Sequence, residues 1–286
     1  MGQRIDNKGL DMRLKQIIKL LIPPILLKLY LSLKSEGSKH TFDGPFDTWE
    51  EVSSITSGYQ DPRIISKLLE SANAVLRGEA SFQRDGILLD EIEFNWPSLS
   101  ALLLALSNSS SHHILDIGGG FGQTALQNNS FFSLMPGGAD IRYSIVEQSE
   151  IVASSTKLVD VPSLTFYSKL KDVTPDFDIV YFGSSAAYIE KVEEMFDYIA
   201  FYKPNFIIFD RTPVSDFSED YYYLEKPSND FYSGGSYPVR VFSEQKLKNR
   251  FVEQFGGGDY RVLAQWNEKF QPYPGYKSIG ICFTRL

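Results

Sequence analysis

The sequence has little sulfur and little histidine. Its 286 residues include one cysteine, Cys282, and three histidines, His40, His112 and His113. A single cysteine excludes a disulfide framework and fits a reducing compartment. With so few thiolate and imidazole ligands the chain cannot build a usual zinc site, and we predict no metal.

Positive charge is also in short supply. The 28 Lys and Arg residues are outnumbered by 36 Asp and Glu residues, so the formal net charge is −8 at pH 7. General nucleic-acid-binding proteins carry an excess of basic residues, so we expect no nucleic-acid partner. Hydrophobic residues at 43% and charged residues at 22% are ordinary values for a globular protein.

The apolar stretch at residues 17–31 is too short and too interrupted to cross a bilayer comfortably. Lys19 and Pro23-Pro24 break it, and no small-residue cleavage site follows. It belongs to a basic, amphipathic N-terminal segment, residues 1–36. Residues 13–34 either contact an anionic membrane surface or pack as short helices on the domain or a partner subunit. We expect a cytoplasmic protein, with peripheral attachment to the inner membrane face as one alternative.

The most informative stretch, residues 114–125, begins as an apolar strand and ends as a helix. Between them lies an acid followed by alternating glycines: Asp116, Gly118, Gly120 and Gly122. Glycine is needed where φ is positive or where a ligand approaches the backbone, and the helix that follows presents free N–H groups. The dinucleotide pattern G-x-G-x-x-G fails in either register, and no Gly-Lys-Ser/Thr of a Walker loop follows.

Strand and helix patterns alternate after residue 113. Alternation of this kind predicts an α/β fold in which helices cover both faces of a mostly parallel sheet. We expect seven strands, the last two joined without a helix, at residues 114–117, 141–146, 164–167, 178–182, 206–209, 260–266 and 278–284.

The chain divides into three predicted regions. Residues 1–36 form the N-terminal helical extension, 37–110 a helical cap, and 111–286 the doubly wound domain, with an insertion at 211–242. The insertion is rich in tyrosine and glycine, which suits a mobile lid over a sugar or aromatic acceptor, or equally a protein–protein contact.

The glycine-rich stretch resembles motif I of the class I S-adenosylmethionine-dependent methyltransferases. The resemblance implies a Rossmann-like fold, with the glycine turn against the methionine part of the cofactor and Asp116 near its amino group. It also implies that the last strand enters the sheet antiparallel.

A narrower resemblance covers the chain from about Phe42 to its end. Its motifs are Gly44-Pro45-Phe46 with Trp49-Glu50-Glu51, then Ser57-Gly58-Tyr59, the glycine turn, and Asp210-Arg211-Thr212-Pro213. They are similar to a family of bacterial proteins assigned as methyltransferases and often encoded in surface-polysaccharide biosynthesis loci.

Ligands of open α/β sheets bind beyond the carboxyl ends of the strands, so residues at those ends are candidates. Glu147 can accept both ribose hydroxyls, and Gly183 and Ser184 leave room for the methionine part and the transferred methyl group. Tyr59 is a candidate to reach inward from a cap. The predicted cofactor-binding residues are Asp116, Gly118, Gly119, Gly120, Gly122, Glu147, Gln148, Gly183, Ser184 and Tyr59.

The acid and base after the fifth strand are the candidate catalytic residues. We assign Asp210 as the base that takes a proton from a hydroxyl acceptor, and Arg211 as the residue that positions the acceptor. A salt bridge between them that only shapes the insertion is an equal alternative.

The sequence therefore favours an S-adenosylmethionine-dependent methyltransferase acting on a hydroxyl of a glycan or another small acceptor. One alternative is a non-catalytic scaffold that keeps the fold and binds partners. Another is an NAD-type oxidoreductase, which the failed dinucleotide spacing disfavours. The oligomeric state does not follow from the sequence.

Overall fold

A mostly parallel β-sheet with helices on both sides forms the centre of the protein. The structure, a computed structural model, describes residues 41–56, 62–227, 235–254, 259–268 and 276–286. The strands are β1 (Thr41–Phe46), β2 (Phe82–Arg84), β3 (Ile87–Leu89), β4 (His113–Ile117), β5 (Arg142–Val146), β6 (Leu164–Tyr167), β7 (Ile179–Gly183), β8 (Phe206–Ser215), β9 (Tyr221–Lys226), β10 (Tyr237–Ser243), β11 (Tyr260–Asn267) and β12 (Lys277–Arg285). The helices are α1 (Trp49–Ser53), α2 (Pro62–Leu76), α3 (Trp96–Ser107), α4 (Gln123–Phe132), α5 (Ser149–Ser155), α6 (Val192–Tyr202) and α7 (Glu244–Asn249).

The seven predicted strands are present, and β1, β9 and β10 extend their sheet to ten strands within the described residues. The seven lie in the order β6-β5-β4-β7-β8-β12-β11. Strands β4 to β8 are mutually parallel where they pair, whereas β12 is antiparallel to both β8 and β11. This is the arrangement expected from the resemblance, with the last strand inserted antiparallel.

Two separate cores lie on the two faces of the sheet. On one face, Leu102 and Leu106 of α3 pack against Ile114 and Ile179 of the strands. On the other, Phe182 and Phe209 stack with ring centroids 4.7 Å apart, and side chains of α6 pack over them. The central strands β4, β7 and β8 bury side chains on both faces, so they are mostly apolar in sequence, and the fold is a doubly wound α/β fold.

Strand β8 is longer than predicted. We expected it to end at Phe209, but it continues to Ser215 through a bulge at Asp210 and Arg211, where the register with β12 shifts and Arg211 has φ of 50°. The apolar run stops at Phe209, so a local pattern could not show the extension. Pairing with β10 and β12 sustains the strand beyond that point.

The predicted insertion also adds strands to the sheet. Strands β9 and β10 pair antiparallel, β10 pairs with the end of β8, and β1 lies beside β9. The tip of this hairpin, residues 228–234, lies outside the described residues, as does the N-terminal segment 1–36.

Residues 82–89, within the region predicted as a helical cap, form a short hairpin. Strands β2 and β3 flank Asp85-Gly86, and both turn residues have positive φ, 51° and 79°. An Asp-Gly pair is a hairpin signal even where the flanking strands are short.

Candidate functional site

The glycine turn joins the carboxyl end of β4 to the start of α4. Gly118, Gly120 and Gly122 all have positive φ, of 70°, 58° and 83°. A Cβ at Gly118 would lie 2.5 Å from the Cβ of Ser185, whereas a Cβ at Gly120 would meet no atom within 4 Å. The turn is therefore packed at its base and open at Gly120, where a ligand can approach the backbone.

Asp116 lies fully buried beneath this turn. Its exposed fraction is 0%, and neither carboxylate oxygen has a hydrogen-bond partner among the described residues. A Cβ at Gly119 would lie 2.5 Å from Asp116 Oδ2, so glycine is required for the carboxylate to fit there. Burial raises the pKa of Asp116 to about 8, with a further contribution from Glu147 and an opposing one from Arg211. A buried carboxylate without a donor is costly, and a ligand that supplies donors would relieve that cost.

Glu147, at the carboxyl end of β5, is tied to the turn. Its Oε1 accepts a hydrogen bond from the Gly120 N–H at 3.0 Å, and its Oε2 accepts one from the Gln148 N–H at 2.9 Å. Burial raises the pKa of Glu147, and these two hydrogen bonds oppose the rise. Each oxygen keeps a second lone pair, so the carboxylate can still accept hydroxyl donors.

The loop after β7 lies against the glycine turn. The Ser185 hydroxyl donates to the Ile117 carbonyl, and the Ser184 N–H donates to the Asp210 carbonyl at 2.9 Å. Ser184 has φ of 68°, which is unusual for a residue with a side chain. The structure thus brings the predicted residues Gly183 and Ser184 to the same edge as the glycine turn.

Asp210 is buried within a polar network. It is 1% exposed, and its carboxylate accepts hydrogen bonds from Asn95 Nδ2 at 2.8 Å and from the Tyr181 hydroxyl at 2.9 Å. The Arg211 Nε lies 3.2 Å from Asp210 Oδ2. Burial lowers the pKa of the Arg211 guanidinium, but the negative charge of Asp210 and smaller contributions from Tyr181, Asp85 and Glu268 together outweigh it and raise the pKa. The predicted acid–base pair is therefore present as an ion pair.

Glu268 is a member of this network that sequence analysis missed. It follows β11 and accepts hydrogen bonds from Asn95 Nδ2 at 3.1 Å and from Trp266 Nε1 at 2.7 Å. Burial, and then the negative charge of Asp210, raise the pKa of Glu268. The rule that strand ends carry ligands could have found Glu268, because β11 ends at the same edge as β8.

The region before β4 covers one side of the turn. Phe121 of the turn is 3% exposed and packs in a cluster with Ile65 and Ala72 of α2 and Ile151 of α5. The Gln123 side chain donates to the Gln83 carbonyl of β2 at 3.2 Å. Helix α2 and the β2–β3 hairpin therefore cover the glycine turn on the side away from β7.

Other predicted features cannot be placed in the site. Tyr59 lies outside the described residues, so its inward orientation stays a prediction. Within the described ranges no group of three or more potential metal ligands is found. Across those same ranges, every helix is too short or too polar to traverse a lipid bilayer.

Comparisons with known proteins give distant structural similarity. No family model matches the sequence, and no curated protein matches it. The N-terminal domain of EvdMO1, crystallised with S-adenosylhomocysteine (SAH) and D-fucose, is 15% identical over 72% of this chain and 90% of its own, with a TM-score of 0.47. An S-adenosylmethionine-dependent methyltransferase from Clostridium acetobutylicum is 11% identical, covers 77% of this chain and 98% of its own, and has a TM-score of 0.42. The CcbJ methyltransferase from Streptomyces caelestis, at 9% identity and the same coverage, has a TM-score of 0.41. Similarity this low assigns neither a family nor a function to this chain.

Proposed function

We propose that this protein is an S-adenosylmethionine-dependent methyltransferase that methylates a hydroxyl group of a glycan or another small acceptor. The observation that carries the proposal is the buried Asp116 carboxylate, which has no hydrogen-bond donor among the described residues and lies under a glycine turn. An ammonium group is the donor that best satisfies such a carboxylate.

The residues at this edge fit the cofactor. The amino group would donate to Asp116, the methionine part would lie along Gly118 to Gly120, and Glu147 would accept the ribose hydroxyls. Gln148, Gly183 and Ser184 would border the nucleoside and the sulfur, and Gly122 lets the helix begin next to the turn. The open space at Gly120 is where backbone contact with the ligand would occur. Bound here, S-adenosylmethionine supplies a methyl group on a positively charged sulfur.

The network around Asp210 would serve the acceptor. Methyl transfer requires an in-line approach of the acceptor oxygen and the loss of its proton. Asp210 is nearly inaccessible, whereas Glu268 is only half-buried. We infer that Glu268 takes up the proton, that Asp210 is connected to Glu268 through Asn95, and that Arg211 helps to position the acceptor.

Calorimetric titration of the full chain tests the proposal. S-adenosylmethionine (SAM) and its product SAH should each bind once, and Asp116→Asn should weaken both. NAD should not bind. Saturable NAD binding without binding of SAM would contradict the proposal and favour an oxidoreductase. Binding of SAM without transfer to any hydroxyl compound would favour the non-catalytic scaffold.

A further inference from the structure

A concave site lies at the strands that the insertion adds to the sheet. It is a pocket of about 330 Å³ between the start of α1, the loop after β7 and strands β9 and β10. The residues that line it and matter here are Asp47, Trp49, Glu50, Glu190, Tyr222 and Arg240. This volume lies at the small end of ligand pockets and suits a single ring of sugar size.

The wall of the pocket is aromatic and held in place. Trp49 is 8% exposed, and its ring meets that of Tyr222 edge to face, with centroids 6.0 Å apart. The Arg240 guanidinium lies 5.3 Å from the centroid of the Tyr222 ring. It is fixed by the Glu193 carboxylate and by the Glu190 carbonyl. These contacts hold the partly exposed Tyr222 ring in place, so a ligand can pack against it at little cost in side-chain entropy.

The charge of the pocket is negative. Asp47, Glu50 and Glu190 contribute carboxylates at the rim, and no ion pair between described residues engages them. Lys191, the rim cation, already lies 3.5 Å from Glu194. Arg240 contributes little positive potential, because Glu193 and Asp220 lie beside it. Carboxylates at these positions accept hydroxyl and ammonium donors and repel phosphate and carboxylate groups.

The pocket shares one loop with the candidate cofactor edge. At one end of this loop, Ser184 and Ser185 contact β8 and the glycine turn. At its other end, Glu190 lines the pocket. Between them the Tyr188 hydroxyl donates to Glu225 of β9 at 2.7 Å, which fixes the loop to the β9–β10 hairpin. The loop therefore links the pocket to the residues that border the candidate cofactor site.

We propose that this pocket binds a ring with several hydroxyl groups that is neutral or carries an amino group, and that it excludes phosphorylated and carboxylated sugars. The identification of this ligand as the methyl acceptor rests on the proposed function. The binding of such a ligand in the pocket is independent of that function. The carboxylates would accept its hydroxyl and ammonium hydrogens, and the Tyr222 ring, supported by Trp49, would contact its apolar face.

Saturation-transfer NMR on the full chain tests the proposal with four probes: D-glucose, D-glucosamine, D-glucose 6-phosphate and D-glucuronate. We expect saturable binding of D-glucosamine, weaker binding of D-glucose, and none of the two anions. Tyr222→Ala should abolish binding. Glu190→Gln should lower the affinity for D-glucosamine by roughly two- to fivefold, the usual effect of one exposed charge pair. The matched control is Tyr221→Ala, because neighbouring residues of β9 point to opposite faces.

Three results would overturn the proposal: no probe binds, the anionic probes bind as well as D-glucosamine, or Tyr221→Ala reduces binding as much as Tyr222→Ala. Titration of SAM into the same samples separates the two claims. If SAM binds and no sugar does, this inference fails and the proposed function stands. If a sugar binds and SAM does not, the proposed function is wrong and the proposal that the pocket binds a sugar ring is retained.

Discussion

Asp210 and Glu268 accept hydrogen bonds from the same nitrogen, Asn95 Nδ2, at 2.8 and 3.1 Å. The two acids come from different strands and meet across β12. Gly280 of β12 makes this possible, because a methyl group there would overlap the Trp266 ring that precedes Glu268. Two acids held this close resist ionising together.

This pairing predicts how stability depends on pH. The raised pKa of Glu268 means that the folded chain holds a proton there which the unfolded chain releases near the ordinary value of 4.5. Between that value and the raised one, the folded state binds more protons, so the free energy of unfolding falls as pH rises. Glu268→Gln should remove this contribution, and the variant should gain stability relative to the wild type as pH rises above about 4.5.

Urea unfolding of both proteins across a pH series measures the effect. Glu253→Gln, at an exposed glutamate of the same domain, controls for the loss of one carboxyl group. A constant difference between Glu268→Gln and the wild type across the series would show that the carboxyl does not titrate as described.

The buried carboxylate of Asp116 predicts pH-dependent cofactor binding. With a pKa of about 8 in the ligand-free protein, Asp116 must lose its proton before it can pair with an ammonium group. The affinity for SAH should therefore rise by about tenfold per pH unit up to about pH 8 and then level off. 5′-Methylthioadenosine, which lacks the amino-acid part, should show no such slope. Parallel slopes for the two ligands would exclude Asp116 as the ammonium partner.

Alanine substitutions in the glycine turn should separate stability from binding. Gly118→Ala combines a positive φ with a contact to Ser185 and should destabilise the fold by about 2–4 kcal/mol. The Cβ added by Gly120→Ala would contact no atom of the protein. The substitution should therefore lower the free energy of unfolding only by the backbone strain of about 1–2 kcal/mol, while greatly weakening SAH binding.

Gly78 supplies the matched control for this series. It has φ of 73°, has nothing within 4 Å of a built Cβ, and lies away from the turn. Gly78→Ala should show the strain cost alone and leave SAH affinity unchanged. Thermal unfolding and calorimetry on the three variants give both readouts. Unchanged SAH affinity in Gly120→Ala would argue against a ligand over the turn.

The basic N-terminal segment predicts membrane association that depends on charge. The full chain should co-sediment with vesicles containing phosphatidylserine but not with pure phosphatidylcholine vesicles, and deletion of residues 1–36 should abolish this. Each basic residue near an anionic surface contributes about 1 kcal/mol. A Lys15, Lys19 and Lys28→Gln variant should thus lose most of the binding while keeping the apolar residues. Equal sedimentation of the deletion variant would leave docking on the domain or on a partner as the better explanation.

Much of the sheet was predictable because its strands are buried on both faces. The run 206–209 is apolar without interruption, 114–117 is interrupted only by Asp116, and the glycines after 114–117 mark the turn. The strand-end rule then placed Glu147, Gly183 and Asp210 at one edge, and the structure places them there.

The features that were missed depend on partners distant in sequence. The continuation of β8 past Asp210 needs β10 and β12, and no local pattern shows either pairing. The hydrogen bonds from Asn95 to Asp210 and Glu268 join residues from three separate parts of the chain. The tyrosine and glycine content of the insertion suits a mobile lid, yet residues 221–223 lie in β9, where side chains alternate between the two faces of the strand.

The bulge in β8 makes one strand serve two purposes. Where the bulge begins, the backbone still pairs with β7 and carries Asp210 at the edge of the parallel sheet; beyond the bulge, the same backbone pairs with β10, the strand that carries Arg240. Side chains along a strand alternate in direction, so removing one residue at the bulge would turn the outer half of β8 over relative to the inner half. The spacing between Phe209 and Val214 thus sets how the pocket wall is oriented with respect to the glycine turn. A chain shortened there could keep either the candidate cofactor site or the pocket, but not both.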